Sequence, residues 1–224
     1  MPRRVRPLTT RRSEHWLRTA VNERQQQFNR EVASAFHWPS SEQISWLSPI
    51  REDAYAEYYD EAFLRRLGLE DLAVPINSFW PPSGPRWDGL GRTTSGKVIL
   101  VEAKAYVEES VDYRSRASPD SMKRIVHSLS NAKKAFGARE EANWDMPFYQ
   151  YANRLAHLHF LAGLNKVDAY LLFVYFADAP DVPNPCAAQQ WEGAIRLVTK
   201  CLGIETHKYP HRVAHLVCRV DDSV

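Results

Sequence analysis

The 224-residue chain has only three cysteines, Cys186, Cys201 and Cys218, odd in number and far apart. That spacing excludes a disulfide framework and a Cys-x-x-Cys metal knuckle. Reduced thiols in a cytoplasmic protein are the expectation. Long apolar runs are missing as well. The longest, Ala169–Ala177, falls far short of the ~20 residues a membrane span needs. No basic-then-apolar leader with a small-residue cleavage site opens the chain, so no secretory signal is expected. Internal repeats and low-complexity segments are absent. Excess charge is small, with 29 Lys+Arg against 27 Asp+Glu for a net +2. At 44% hydrophobic and 25% charged, the composition is ordinary for a globular protein and excludes wholesale disorder.

What is present begins with an asymmetry of charge. Residues 1–12 contain Arg3, Arg4, Arg6, Arg11 and Arg12 and no acid, a local +5 that leaves −3 on the rest of the chain. A flexible basic arm ahead of a near-neutral body is a common way to touch a phosphate backbone, and also a common way for a terminus simply to be solvated. The remaining 13–224 are a suitable length for one domain with its own core.

Local signals lay out the elements. Ser13 is placed to cap a helix running to about Phe36, polar through Asn22–Gln27 and therefore peripheral in appearance. A second helix is predicted from Glu52 to Leu67, with Gly68 placed to end it. Pro81–Pro85 cannot be helical. Arg86–Thr93 and Lys97–Ala105 read as two strands joined by a turn at Thr94-Ser95-Gly96. Ser118 as cap and Pro119 at the first position start a helix that ends near Gly137. A helix over 148–164, a buried strand over 167–177, a helix over 187–202 and a strand over 214–220 complete the pattern. Strands alternating with helices after a hairpin predict an α/β sheet covered on both faces.

The segment Lys97-Val-Ile-Leu-Val-Glu-Ala-Lys-Ala105 carries the chemistry. With period two, Val98, Leu100, Glu102 and Lys104 share one face, and Ile99, Val101, Ala103 and Ala105 share the other. Both faces start apolar, as in a central strand, and a carboxylate and an ammonium then appear on one face at its C-terminal end. Burying them there is costly unless they are paired, hydrogen-bonded or bound to a metal. Asp88 on the preceding strand brings a second carboxylate, and a hard divalent cation resolves the repulsion between two converging carboxylates. An acid-x-Lys tripeptide arises about once by chance in a chain of this composition, so the weight rests on context. A structural Glu102–Lys104 ion pair at a strand end is the alternative.

At Asp88, Glu102, Ala103 and Lys104 the chain resembles the PD-(D/E)XK, or restriction-endonuclease-like, nuclease superfamily. Trp87 stands where the motif has proline. The order helix, hairpin, acid-x-Lys strand, helix, strand over about 52–177 is also similar to that family's core. The resemblance implies a mixed β-sheet flanked by helices, here with an extra N-terminal helix. It also implies a phosphodiesterase using Mg²⁺ or Mn²⁺ on nucleic acid, DNA for preference, with no membrane partner. Asp88, Glu102 and the carbonyl of Ala103 would hold the ion and Lys104 would act beside it. Many members add a glutamate from the first core helix, for which Glu57 is preferred over Glu61. A helix following the acid-x-Lys strand often lends a polar side chain. Gln150, Asn153, Arg154 and His157 form one polar stripe on such a helix, so Gln150 and Arg154 are placed to meet a water or a phosphate, if the stripe is not a plain solvated face. A non-catalytic nucleic-acid-binding or accessory module on the same fold is the other reading.

Two further patterns carry nothing. Gly91-x₄-Gly96-Lys97 resembles a phosphate loop but has Val98 where a hydroxyl is needed, and it leads into a strand. His207, His211 and His215 are spaced by four, but Pro210 and the β-rich run after Val213 break the helix that would align them.

Overall fold

In the computed structural model, residues 3–5, 12–111 and 117–220 are described. Two helices, α1 (Ser13–Asn22) and α2 (Gln25–Ala35), precede the first strand of the main sheet, β1 (Ile44–Ser48). A short helix α3 (Glu61–Arg66) leads to the hairpin β2 (Gly89–Thr93) and β3 (Val98–Lys104). The long helix α4 (Pro119–Phe136) follows, then α5 (Tyr149–Leu158), which runs into a π-helical turn at His159–Leu164. Strand β4 (Ala169–Ala177), helix α6 (Ala188–Cys201) and strand β5 (Val213–Arg219) finish the domain. The five strands lie in chain order. β1/β2 and β2/β3 are antiparallel, and β3/β4 and β4/β5 are parallel. The protein is thus a mixed α/β fold with a five-stranded mixed sheet flanked by helices.

The hairpin and α4 form where their residues dictate. Gly96, at φ +89°, makes the turn between β2 and β3. Ser118 caps α4 by accepting from the Ser121 N–H at 3.4 Å, Pro119 occupies the first turn, and Gly137 ends the helix at φ +72°. The alternation along β3 divides the interior in two. Val98 and Leu100 face a core closed by α3, α4, α5 and α6, whereas Ile99, Val101 and Ala103 face one closed by α1 and α2.

Two helical expectations fail, each for a tertiary reason. The helix expected over 13–36 is broken at Glu23–Arg24. Asn22 turns its amide onto the carbonyls of Arg18 and Pro49 and accepts from the Arg51 N–H, tying the chain to the loop after β1. The α1–α2 pair is not peripheral either: Leu17, Val21, Phe28 and Val32 are at most 2% exposed and cover one face of the sheet. The core therefore extends outside 52–177. The helix expected over 52–67 survives only as α3. Ala54, Tyr55 and Asp60 adopt positive φ, and Glu57–Tyr58 is instead a two-residue strand paired with Arg3–Arg4. Asp60 offsets its strained backbone by accepting from the Ser83 and Gly84 N–H groups at 3.0 and 2.9 Å. The edge strand β1 carries no comparably strong signal in the sequence. Among the described residues, no helix is long and apolar enough to cross a membrane.

Candidate functional site

The C-terminal end of β3 is where the chemistry collects. Because β2 runs antiparallel beside it, Asp88, the residue before β2, is brought alongside Ala103, whose N–H donates to Oδ2 at 2.8 Å. Gly89 makes that approach possible: a Cβ there would meet the Val101 Cβ at 3.1 Å and the Ser48 carbonyl at 3.3 Å. Tyr58 bridges to Trp87, fixing the entry to β2 from the other side.

Glu102 is 3% exposed, and cations hold both of its oxygens. Lys104 Nζ lies 2.7 Å from Oε1. Arg154, reaching in from α5, places Nε and Nη2 each 2.6 Å from Oε2. Arg154 is itself fixed at other points: Nη2 donates to the Arg86 carbonyl at 2.9 Å, Nη1 to Asn153 Oδ1 at 2.9 Å, and its guanidinium lies over the Trp87 ring at 4.9 Å. Lys104 has one more partner, Gln150 Oε1 at 2.7 Å. Burial pushes the Glu102 carboxyl up, but Arg154 and Lys104 outweigh it and leave its pKa below the ordinary value. Burial pushes the Lys104 ammonium down, and Glu102 and Asp88 more than compensate, so its pKa is raised.

These groups line one cavity of about 750 Å³. Its acids are Glu14, Glu57, Asp88, Glu102 and Glu109, and its bases are Arg86, Lys104 and Arg154. The acids outnumber the bases, and Asp88 registers the excess. Burial first, then the charges of Glu102 and Glu57, push its carboxyl up to about 8 despite Lys104 and the Ala103 N–H. Glu109 accepts from the Ala105 N–H at 2.7 Å, yet burial still raises its pKa.

The structure brings Asp88, Glu102, Ala103, Lys104, Glu57 and Gln150 to the walls of this cavity. Glu57 gets there from the two-residue strand and not from a helix. Glu61 does not line it; it pairs with Arg65 at 2.9 Å and accepts from Asn77 at 2.8 Å. The polar stripe on α5 is no solvated face, since Asn153, Arg154 and His157 are all buried. Arg154 points to Glu102, so it does not stand open to a water or phosphate. Glu14 is a residue that sequence reasoning passed over. It is a helix glutamate on the cavity wall, and its only signal was a place three residues ahead of Leu17 on a helix whose core-facing side was missed.

Of the basic N-terminal segment, Arg3 pairs with Asp53 at 2.5 Å, Arg4 lies opposite Glu57, and Arg12 lies over the Tyr106 ring at 5.3 Å. Arg6 and Arg11 fall outside the described residues. His215 lies in β5 between the Tyr151 and Tyr175 hydroxyls, at 2.8 and 3.2 Å, which is a core role.

Carboxylates and a backbone carbonyl are hard oxygen donors, the set that Mg²⁺ and Mn²⁺ take. The chemistry of the cavity wall fits such an ion. Among the described residues, however, no group of three or more His, Cys, Asp or Glu side chains is gathered into a ready cage. In this structure the charge on Glu102 is balanced by protein cations. Compared with known proteins, the chain has no significant match to any family model, any curated protein or any solved structure.

Proposed function

We propose that the protein is a metal-dependent nuclease of the PD-(D/E)XK, restriction-endonuclease-like kind, hydrolysing phosphodiester bonds of nucleic acid, DNA for preference. One observation carries the reading. An acid before a hairpin strand, an acid-x-Lys pair at the end of the central strand and a glutamine from a later helix meet on one cavity, in the chain order that the resemblance calls for. Asp88, Glu102 and the Ala103 carbonyl would hold Mg²⁺ or Mn²⁺, with Glu57 or Glu14 completing the oxygen set. Glu14 sits on a helix of the core, where the resemblance expects a glutamate. Bound there, the ion supplies Lewis acidity to the scissile phosphate and lowers the pKa of a water.

The chain's own residues do the rest. Lys104 presents its ammonium at the cavity, where charge develops on the phosphate oxygens, and Gln150 holds that ammonium in place. The excess of acid on the wall draws in a cation and keeps the phosphate backbone out until one is present. Incubation of single- and double-stranded DNA and of RNA with Mn²⁺ tests the reading: cleavage is expected from the parent protein and none from E102Q, which keeps the shape and removes the charge. Equal cleavage by E102Q contradicts it.

A second reading has its own observation. Both oxygens of Glu102 are satisfied by Lys104 and Arg154, as in a closed structural cluster. That arrangement suits a non-catalytic nucleic-acid-binding or accessory module. Such a module binds nucleic acid with a steep salt dependence and no need of a divalent ion.

A further inference from the structure

Glu102 has two cationic partners, and they are held very differently. Arg154 is bound on every side: two nitrogens on Oε2 at 2.6 Å, one bond each to the Arg86 carbonyl and the Asn153 side chain at 2.9 Å, and a ring beneath its plane. Its side chain is 7% exposed. Lys104 is a single flexible ammonium, 14% exposed, with Glu102 Oε1 and Gln150 Oε1 as its partners, both at 2.7 Å. When a divalent ion arrives at Glu102, its charge repels the cations already there, and the partner held by fewer bonds is the one that shifts. Swinging Arg154 away breaks the bonds to Glu102, Arg86 and Asn153 together and strips the ring of its cation. Moving Lys104 breaks one bond and leaves its tie to Gln150.

We infer that Arg154 is a positioning residue that fixes the Glu102 carboxylate through Oε2 for cation binding, and that Lys104 is the partner Glu102 gives up. The inference rests on the nuclease reading above and adds to it a division of labour between two cations that simple charge counting treats alike. A guanidinium fixed by three hydrogen bonds and a second ion-pair contact orients a carboxylate as outer-shell partners orient metal ligands, and loss of such a partner typically costs about 10–100-fold in metal affinity. A bare positive charge close to the site does the opposite, since its removal lessens repulsion of the incoming ion.

The two cations therefore separate in sign. Mn²⁺ binding is measured on the intact protein by the electron paramagnetic resonance signal of the free ion, for the parent and for K104M, R154M and R154K, each with a thermal melt with and without Mn²⁺. K104M is expected to bind Mn²⁺ at least as tightly as the parent. R154M is expected to bind it about 10–100-fold more weakly, although it too has lost a positive charge, with R154K at the lower end of that range. If R154M does not fold, R154K carries the test, because it keeps the charge and loses the fork. Tighter binding by R154M, unchanged binding by R154K, or weakened binding by K104M overturns the inference. A parent protein that takes up no Mn²⁺ instead overturns the nuclease reading and this inference with it, a result distinct from a parent that binds and Arg154 variants that bind equally well.

Discussion

Strand β3 has an acid–lysine pair at each end. At its start, Lys97 Nζ lies 2.8 Å from Glu42 Oε2, and the carboxylate also accepts from the Ser95 N–H at 3.0 Å and the Ser95 hydroxyl at 2.8 Å. At its finish, Glu102 meets Lys104 at 2.7 Å. The distances are nearly the same and the settings are not. Glu42 is paired with Lys97, and the hydroxyls of the hairpin turn take up more of its hydrogen-bonding capacity. Burial pushes its carboxyl up, but Lys97, Thr93 and Ser95 win and bring the pKa down to about 2. Around Glu102 there is a cavity with four further acids, and Asp88 is pushed the other way, to about 8. An ion pair at a strand end is thus ordinary; an ion pair in a surplus of carboxylate, open to a cavity, is the feature on which the proposed cation site rests.

The contrast breaks most sharply under charge removal. E102Q should lower nuclease activity by at least ~10²-fold, as loss of a group acting in the transition state does, and a cleavage assay run beside a melt reads both quantities. E42Q should leave cleavage unchanged. If Glu102 were only a structural partner, its loss would instead appear as about 3–5 kcal/mol of stability with no activity to lose.

Acid separates the two ends next. Burial holds His157, three residues beyond Arg154, at a pKa of about 3, and its Nδ1–H donates to the Asn153 carbonyl 2.9 Å away. The unfolded chain binds that proton near pH 6.5, so the contribution of His157 is intact above about 6.5 and declines as pH falls toward 3. The slope is at most about 1.4 kcal/mol per pH unit. Glu42 has a depressed pKa, so its contribution is intact above about 4.5 and is lost as pH falls toward 2. Urea unfolding at stepped pH should show the loss due to His157 beginning at higher pH than the loss due to Glu42. Replacing His157 with Gln should flatten the slope between pH 6.5 and 5, and E42Q should flatten only the part below 4.5. A slope between 6.5 and 5 that H157Q leaves untouched contradicts the assignment.

Smaller effects sharpen the hairpin end and the scaffold. E42Q should cost about 1–2 kcal/mol at neutral pH, well below a fully buried pair because the site lies near solvent. S118A, which removes the cap of α4, should cost about 1 kcal/mol. Chemical denaturation measures both, and neither should change Mn²⁺ affinity.

The same comparison explains what was legible in the sequence. The hairpin, the two faces of β3 and both ends of α4 rest on local rules: period two, a glycine turn, a serine cap with proline behind it, a glycine after the last turn. Asp88, Glu102 and Lys104 could be placed because hairpin pairing and strand alternation fix them, and Gln150 because helical spacing puts it on the polar stripe of α5. Glu57 reached the cavity from a strand because pairing with Arg3–Arg4 and a bridge at Trp87 overrode the helical pattern of 52–67. The bond from Arg154 to Glu102 spans 52 residues and joins α5 to β3, and no spacing in either segment encodes it. Glu14 was missed for a related reason. A polar stretch at Asn22–Gln27 made its helix look peripheral, when that stretch is the corner between two helices that cover the sheet.

The most direct measurement is a crystal structure of the protein soaked in Mn²⁺, with anomalous scattering used to locate the metal. The account predicts an anomalous peak in the cavity, within ligand distance of side-chain oxygens of both Asp88 and Glu102, with Arg154 still on Oε2 of Glu102. An empty cavity with Glu102 closed on Lys104 and Arg154 at saturating Mn²⁺, or a peak that Asp88 and Glu102 do not share, contradicts it.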